Sequence, residues 1–168
     1  MDVAGVLTDG FARIREVVHE TVDGLPAELL LARPGPDANS ISWLIWHLTR
    51  VQDDHIAGVA DTRQLWTAQD WHHRFALPLP AVDIGYGHRS EDVAAVRIGD
   101  PELLLGYYDA VHEHTTGWLA GITAADLDRV VDEHWDPPVT LGVRLISVLS
   151  DDLQHAGQAA YLRGLLGG

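Results

Sequence analysis

The strongest constraint on this chain is an apolar stripe near its C-terminal end that is interrupted by two polar residues. Positions 141, 145, 148, 152, 155, 159 and 162 are Leu, Leu, Val, Asp, His, Ala and Leu. That spacing marks one face of an α-helix, so Leu141 to Leu166 is expected as a long helix. A carboxylate inside such a stripe is unfavourable unless a partner charge or a metal compensates it. Asp151 stands one turn before His155 and projects from the same face. Asp152, three residues before His155, competes for the same role. A second histidine, His47, lies in a similar apolar stripe far upstream. His47, Asp151 and His155 are therefore the candidate ligands of one divalent metal.

The remaining segments are helical by the same criterion. Val3 to Val22 repeats apolar residues at helical spacing and stops at Gly24. Pro26 opens a short helix to Ala32, and Arg33 to Asp37 reads as a loop. Asn39 or Ser40 can cap a helix from Ile41 to about Val59. Its broad apolar face includes Trp43, Leu44, His47, Leu48 and Val51, with Arg50, Gln52 and Asp53 placed toward its edge. Asp61 to Arg74 is expected to hold one more short helix. Asp100-Pro101-Glu102 is a strong helix start, leading to about Gly121. Thr123 to Leu127 forms another capped turn, and Thr140 caps the final helix.

Phe75 to Gly99 is the irregular part, broken by Pro78, Pro80, Gly85 and Gly87. A loop of this length in a compact domain often serves as a lid or a binding loop. The strand signals at Val130-Val131 and Val139 are too short to count. The expected architecture is all-α: one four-helix-bundle domain over residues 1–168, with short extra helices and one long loop. Bundles of this kind build metal sites from inward-facing side chains on neighbouring helices.

Composition limits the function classes. The 168 residues carry 25 acidic and 11 basic side chains, a formal charge of -14. An acidic surface argues against nucleic acid or an anionic membrane as partner. Cysteine is absent, so disulfides, thiolate ligands and a protein thiol nucleophile are excluded. No apolar run approaches membrane-spanning length, and no secretory leader is visible at Met1 to Phe11. A soluble, cytoplasmic protein is expected.

Neutral imidazole and carboxylate ligands suit Zn²⁺ first, with Ni²⁺ and Fe²⁺ as alternatives. Two histidines and one carboxylate leave a coordination position open, as catalytic sites do. On the residues alone the plainer reading stays open: Asp151 and His155 as a helix-surface pair, and His47 as a satisfied core histidine. His72-His73 and His112-Glu113-His114 read as surface. His55, eight residues beyond His47, is too far along the helix to share an ion with it easily. Asp54 and His88 are candidates for outer positions. The P-loop, G-x-G-x-x-G, G-x-S-x-G and H-E-x-x-H patterns are all missing.

Three stretches resemble the DinB/YfiT-like superfamily, which includes mycothiol-dependent maleylpyruvate isomerases and mycothiol and bacillithiol S-transferases. Ser42-Trp43-Leu44-Ile45-Trp46-His47-Leu48 is similar to its second-helix segment. Asp151-Asp152-Leu153-Gln154-His155-Ala156-Gly157-Gln158 is similar to its last-helix segment, and Tyr161 to Leu166 to the tail that follows. The resemblance implies His47, Asp151 and His155 as the three ligands. Many relatives place His, and the isomerase type Glu, where this chain has Asp151, so the carboxylate class is kept with one methylene fewer.

The resemblance also implies an S-transferase or isomerase. Its cosubstrate would be mycothiol, bound to the metal as a thiolate, and its target a small electrophile. Two alternatives accompany it: a metal-binding protein without catalysis, and a metal-dependent hydrolase. Relatives also suggest a homodimer, for which six tryptophans, if exposed, would supply surface.

Overall fold

A computed structural model describes residues 1–167. The chain is all-α apart from one two-stranded ribbon, and four long helices form the bundle: α1 (Val3–Val22), α3 (Ile41–Ala60), α7 (Pro101–Leu119) and α8 (Leu141–Leu166). Short helices fill the connections: α2 (Ala27–Leu31), α4 (Leu65–Ala68), α5 (Trp71–Phe75) and α6 (Ser90–Ala95). The Asp61–Arg74 region thus holds two short helices rather than one.

The starts of the long helices follow capping chemistry. Ser40 Oγ accepts from the Trp43 amide at 3.1 Å, and Asp100 Oδ1 from those of Glu102 and Leu103. Thr140 accepts from Val143 at 3.4 Å. Each cap satisfies a helix-end amide that would otherwise lack a partner.

Around the bundle each long helix touches two others. α3 packs on α8 and α7, and α1 packs on the same two. Helices α3 and α8 are therefore neighbours, which brings His47 and the Asp151–His155 turn to one seam. The apolar faces enclose a single core with Phe11, Ile14, Leu44, Tyr108, Leu145 and Val148 among its members. Among the described residues no helix is long and apolar enough to cross a membrane.

Three sequence expectations need correction. Val130–Asp132 (β1) and Val139–Thr140 (β2) do pair, antiparallel, with Val130 opposite Thr140. The pairing is non-local, so short strand signals gained a partner that the sequence pattern does not reveal. Four of the six tryptophans, Trp43, Trp46, Trp66 and Trp71, are buried and offer no surface. Arg50, Gln52 and Asp53 are not at an edge either: all three are buried. Helix α3 is covered on every side from Ile41 to Asp53, so its polar residues had to find partners inside.

They do so in one network. Asp53 accepts from the backbone amides of Leu65 and Trp66 at 2.8 Å, and from the Tyr107 hydroxyl at 2.7 Å. Arg50, 3.7 Å from Asp53, donates to the carbonyls of Ala81 and Asp83 and to Gln64 Oε1. Its guanidinium lies over the Trp66 ring, 4.9 Å from the centroid. The network ties α4, α7 and the long loop to α3. Removing one member of a buried pair leaves the other charged and unpaired. Asp53→Ala is accordingly expected to cost about 3–5 kcal/mol in urea unfolding.

Candidate metal centre

His47 projects from α3 and is only 6% exposed. Its ring stacks on Trp43 one turn earlier, with centroids 4.5 Å apart and planes at 19°. Its Nδ1 meets the carbonyl oxygen of Ile84 in the long loop. A carbonyl can only accept, so Nδ1 carries the proton and Nε2 keeps its lone pair free. Burial is the main cause that pushes the His47 pKa below the ordinary histidine value, with the nearby His155 adding to it. The favoured form is the neutral one, which is the form that binds metals.

His155 is held in the same tautomer from α8. Its Nδ1 lies 2.9 Å from the Gln158 side-chain oxygen, one turn on. Gln158 thereby plays a part that sequence reasoning did not assign, although its i, i+3 spacing was a usable signal. His155 Nε2 is 3.6 Å from Asp151 Oδ1. The His47 and His155 rings meet edge to face at 4.8 Å.

The structure brings the three candidates together: one ligand atom each from His47, Asp151 and His155 lie within 4.8 Å of one another. Asp151 Oδ2 is buried and has no hydrogen-bond partner. Two free imidazole lone pairs and an unpartnered buried carboxylate oxygen form a donor set that fits a divalent cation. Asp152 is excluded from the group. It is buried against the core, with both oxygens unpartnered, and burial followed by the Asp151 charge drives its carboxyl well above the usual range.

The loop supports the site from outside. Trp43 Nε1 donates to His88 Nδ1 at 3.1 Å, and His88 Nε2 sits 3.0 Å from Asp83. Both nitrogens of His88 are engaged, so it orients Trp43 and does not act as a ligand. Asp54 accepts from Gln64 at 2.6 Å. It lines a neighbouring cavity of about 590 Å³ with His55, Arg63 and Arg144.

His55, set aside by spacing, returns through the fold. It joins His47 and Asp151 around a smaller cavity of about 170 Å³. Burial and then Arg144 push its pKa down, so it is a neutral imidazole there. Asp70, His72 and His73 form a second close group. It is more exposed, and His73 is already paired with Asp70.

Ile84 and Gly85 were missed as site residues. Gly85 has φ +89°, and a Cβ there would fall 2.6 Å from His47 Nδ1 and 3.0 Å from the Trp46 ring. Only glycine lets the loop lie flat on the imidazole. The Gly85-Tyr86-Gly87 run was legible as a turn, but not its target.

Fold and cluster together define a helical bundle with a two-histidine, one-carboxylate group at the seam of two helices. The chain belongs to the mycothiol-S-transferase family, whose sequence profile matches residues 6–168. No curated protein matches it. It is similar to a conserved protein from Enterococcus faecalis, whose crystal structure aligns with a TM-score of 0.91. The two are 34% identical over 97% of this chain and 96% of that one.

Gly85→Ala strains the backbone and drives a methyl group into His47. Urea unfolding is expected to report a loss of about 1–3 kcal/mol, whereas Gly87→Ala, whose Cβ would meet nothing, lacks the clash and should cost less.

Proposed function

We propose that this protein is a metal-dependent S-transferase that joins a small thiol, mycothiol, to an electrophile. His47 Nε2, His155 Nε2 and the Asp151 carboxylate would hold one divalent cation, Zn²⁺ before Ni²⁺. The observation that carries the reading is the Asp151 carboxylate, which sets Oδ1 3.6 Å from His155 Nε2 and leaves Oδ2 buried without a partner, in a group with two imidazoles whose Nδ1 atoms are already committed. Family membership supports the thiol. When bound, the cation supplies positive charge that lowers the pKa of the thiol, so that its sulfur is a nucleophilic thiolate at neutral pH.

The chain's own residues do the rest. Ile84 and Gln158 hold the two histidines in the tautomer with Nε2 free. Val51, Ile84 and Val148 supply the apolar part of the inner cavity's wall, which strengthens electrostatic effects at the sulfur. The absence of cysteine means that the attacking sulfur belongs to the cosubstrate. Its proton leaves to solvent or a base, its lone pair forms the new S–C bond, and the electrophile's leaving group departs or its double bond takes up a proton. The cavity of about 590 Å³ shares His55 with the inner one. Thr62, Arg63, Gln64 and Thr67 suit it to the hydroxyl-rich body of such a thiol.

Metal content by mass spectrometry tests the centre directly. The wild type is expected to hold about one equivalent of Zn²⁺ per chain, with binding weakened at least about tenfold in Asp151→Ala and His155→Ala. Loss of thiol is then followed with mycothiol, bacillithiol and glutathione against an alkylating electrophile. A loaded protein that consumes none of these thiols would make this a metal-binding bundle without transferase activity. A wild type that takes up no metal would remove the centre itself.

A further inference from the structure

His55 is the residue that the inner cavity of about 170 Å³ and the outer one of about 590 Å³ have in common. With the sulfur directed to His47, Asp151 and His155 and the body of the thiol in the outer cavity, the new bond would form beside this ring.

The tautomer of His55 is the reverse of that of the two candidate histidine ligands. Arg144 Nη1 lies 3.4 Å from His55 Nδ1. A guanidinium only donates and keeps its protons, so Nδ1 accepts and the ring proton sits on Nε2. Asp54 Oδ2 is 3.7 Å from the same Nδ1, too far to claim a proton there. Asp54 already accepts from Gln64. Arg144 is itself fixed by Asp132 of β1, with Nη2 donating to Oδ2 at 3.0 Å. The short ribbon thus orients a side chain at the site.

His55 Nε2 has no hydrogen-bond partner among the described residues, and the side chain keeps 32% exposure. A protonated Nε2 cannot bind a cation; it can only donate. Other donors of the inner wall are directed elsewhere. His47 Nδ1 meets the Ile84 carbonyl, Ser147 Oγ donates to the Val143 carbonyl at 2.8 Å, and Tyr86 is 90% exposed. The free N–H of His55 is what remains to meet an acceptor inside.

Granted the transferase reading on which this rests, we propose that His55 selects the electrophile: one whose reacting carbon is activated by an oxygen, as in an α,β-unsaturated carbonyl or an epoxide, in preference to an alkyl iodide. As the sulfur lone pair forms the S–C bond, an electron pair moves onto that oxygen, through the C=C bond of an enone or by cleavage of the C–O bond of an epoxide. The Nε2–H donates a hydrogen bond to the charge that develops there. Water then protonates the alkoxide, or the enolate at the carbon beside its carbonyl. His55 keeps its own proton, because Arg144 cannot supply another through Nδ1. A neutral imidazole can polarise a carbonyl in this way. A departing iodide is large and diffuse, and gains less from one donor. Sulfur is a weaker acceptor than oxygen, so the thiolate is not the better target.

The ratio of kcat/KM for an enone to that for an alkyl iodide, measured with the same thiol and the metal-loaded protein, gives the first readout. It cancels any loss of fold or metal, which falls on both substrates alike. His55→Ala should lower the ratio at least about 100-fold, as removal of one oxyanion donor does. His55→Gln, which keeps a side-chain N–H, should restore part of it. Long-range proton–nitrogen correlation spectra of the isotope-labelled wild type give a second readout that needs no turnover. They should show His55 with its proton on Nε2, opposite to His47. A proton on His55 Nδ1, or a ratio that His55→Ala leaves unchanged, overturns the proposal and leaves the transferase standing. Thiol consumed with neither electrophile overturns both.

Discussion

The candidate site depends on a salt bridge buried inside one helix. Arg50 and Asp53 are almost wholly withdrawn from solvent, and taking two charges out of water costs several kcal/mol per ion before any compensation. Compensation here comes from elsewhere in the chain. Asp53 is satisfied by two amides at the start of α4 and by Tyr107 of α7. Arg50 is satisfied by loop carbonyls at Ala81 and Asp83. The pair is therefore stable only when α4, α7 and the loop are docked. Ile84 follows Asp83 directly, so anchoring Asp83 delivers the carbonyl that sets the tautomer of His47.

That sequence of dependence explains how a bundle with only three candidate ligands can present them ready for use. Each histidine is oriented by a hydrogen bond at Nδ1, one from the loop and one from the same helix. Trp43 fixes the plane of His47 by stacking, and is itself held by His88 and Asp83. Orientation of this kind lowers the cost of assembling a cation site, because the ligands lose little freedom when the ion arrives. The cluster also borders the cavity of about 170 Å³ that His47 and Asp151 share with His55.

Helix α8 presents three faces. Leu145, Val148, Asp152, Ala156, Ala159 and Leu162 face the core. Asp151 and His155 face the seam with α3. An uncharged stripe through Leu153 faces outward. Asp152 marks the strain in this arrangement: it is a carboxyl in the core with neither oxygen partnered, beside Tyr108, whose hydroxyl is unpartnered too. Nothing in the structure accounts for an acid at that position.

Much of this was readable in the amino-acid order. Helical periodicity, the caps at Ser40, Asp100 and Thr140, and the loop glycines set the element boundaries, because those signals are local. The three residues of the cluster stood out because polar side chains broke apolar stripes, and the resemblance joined them. The choice between Asp151 and Asp152 needed tertiary structure, since i+3 and i+4 are equally good spacings until a neighbouring helix says which side faces the seam. So did the burial of Arg50 and Asp53, the return of His55 to the site, the β1–β2 pairing and the contact of Ile84 with His47. Each joins residues far apart in sequence or depends on which helix lies alongside, and hydrophobic spacing within one segment carries no information about that.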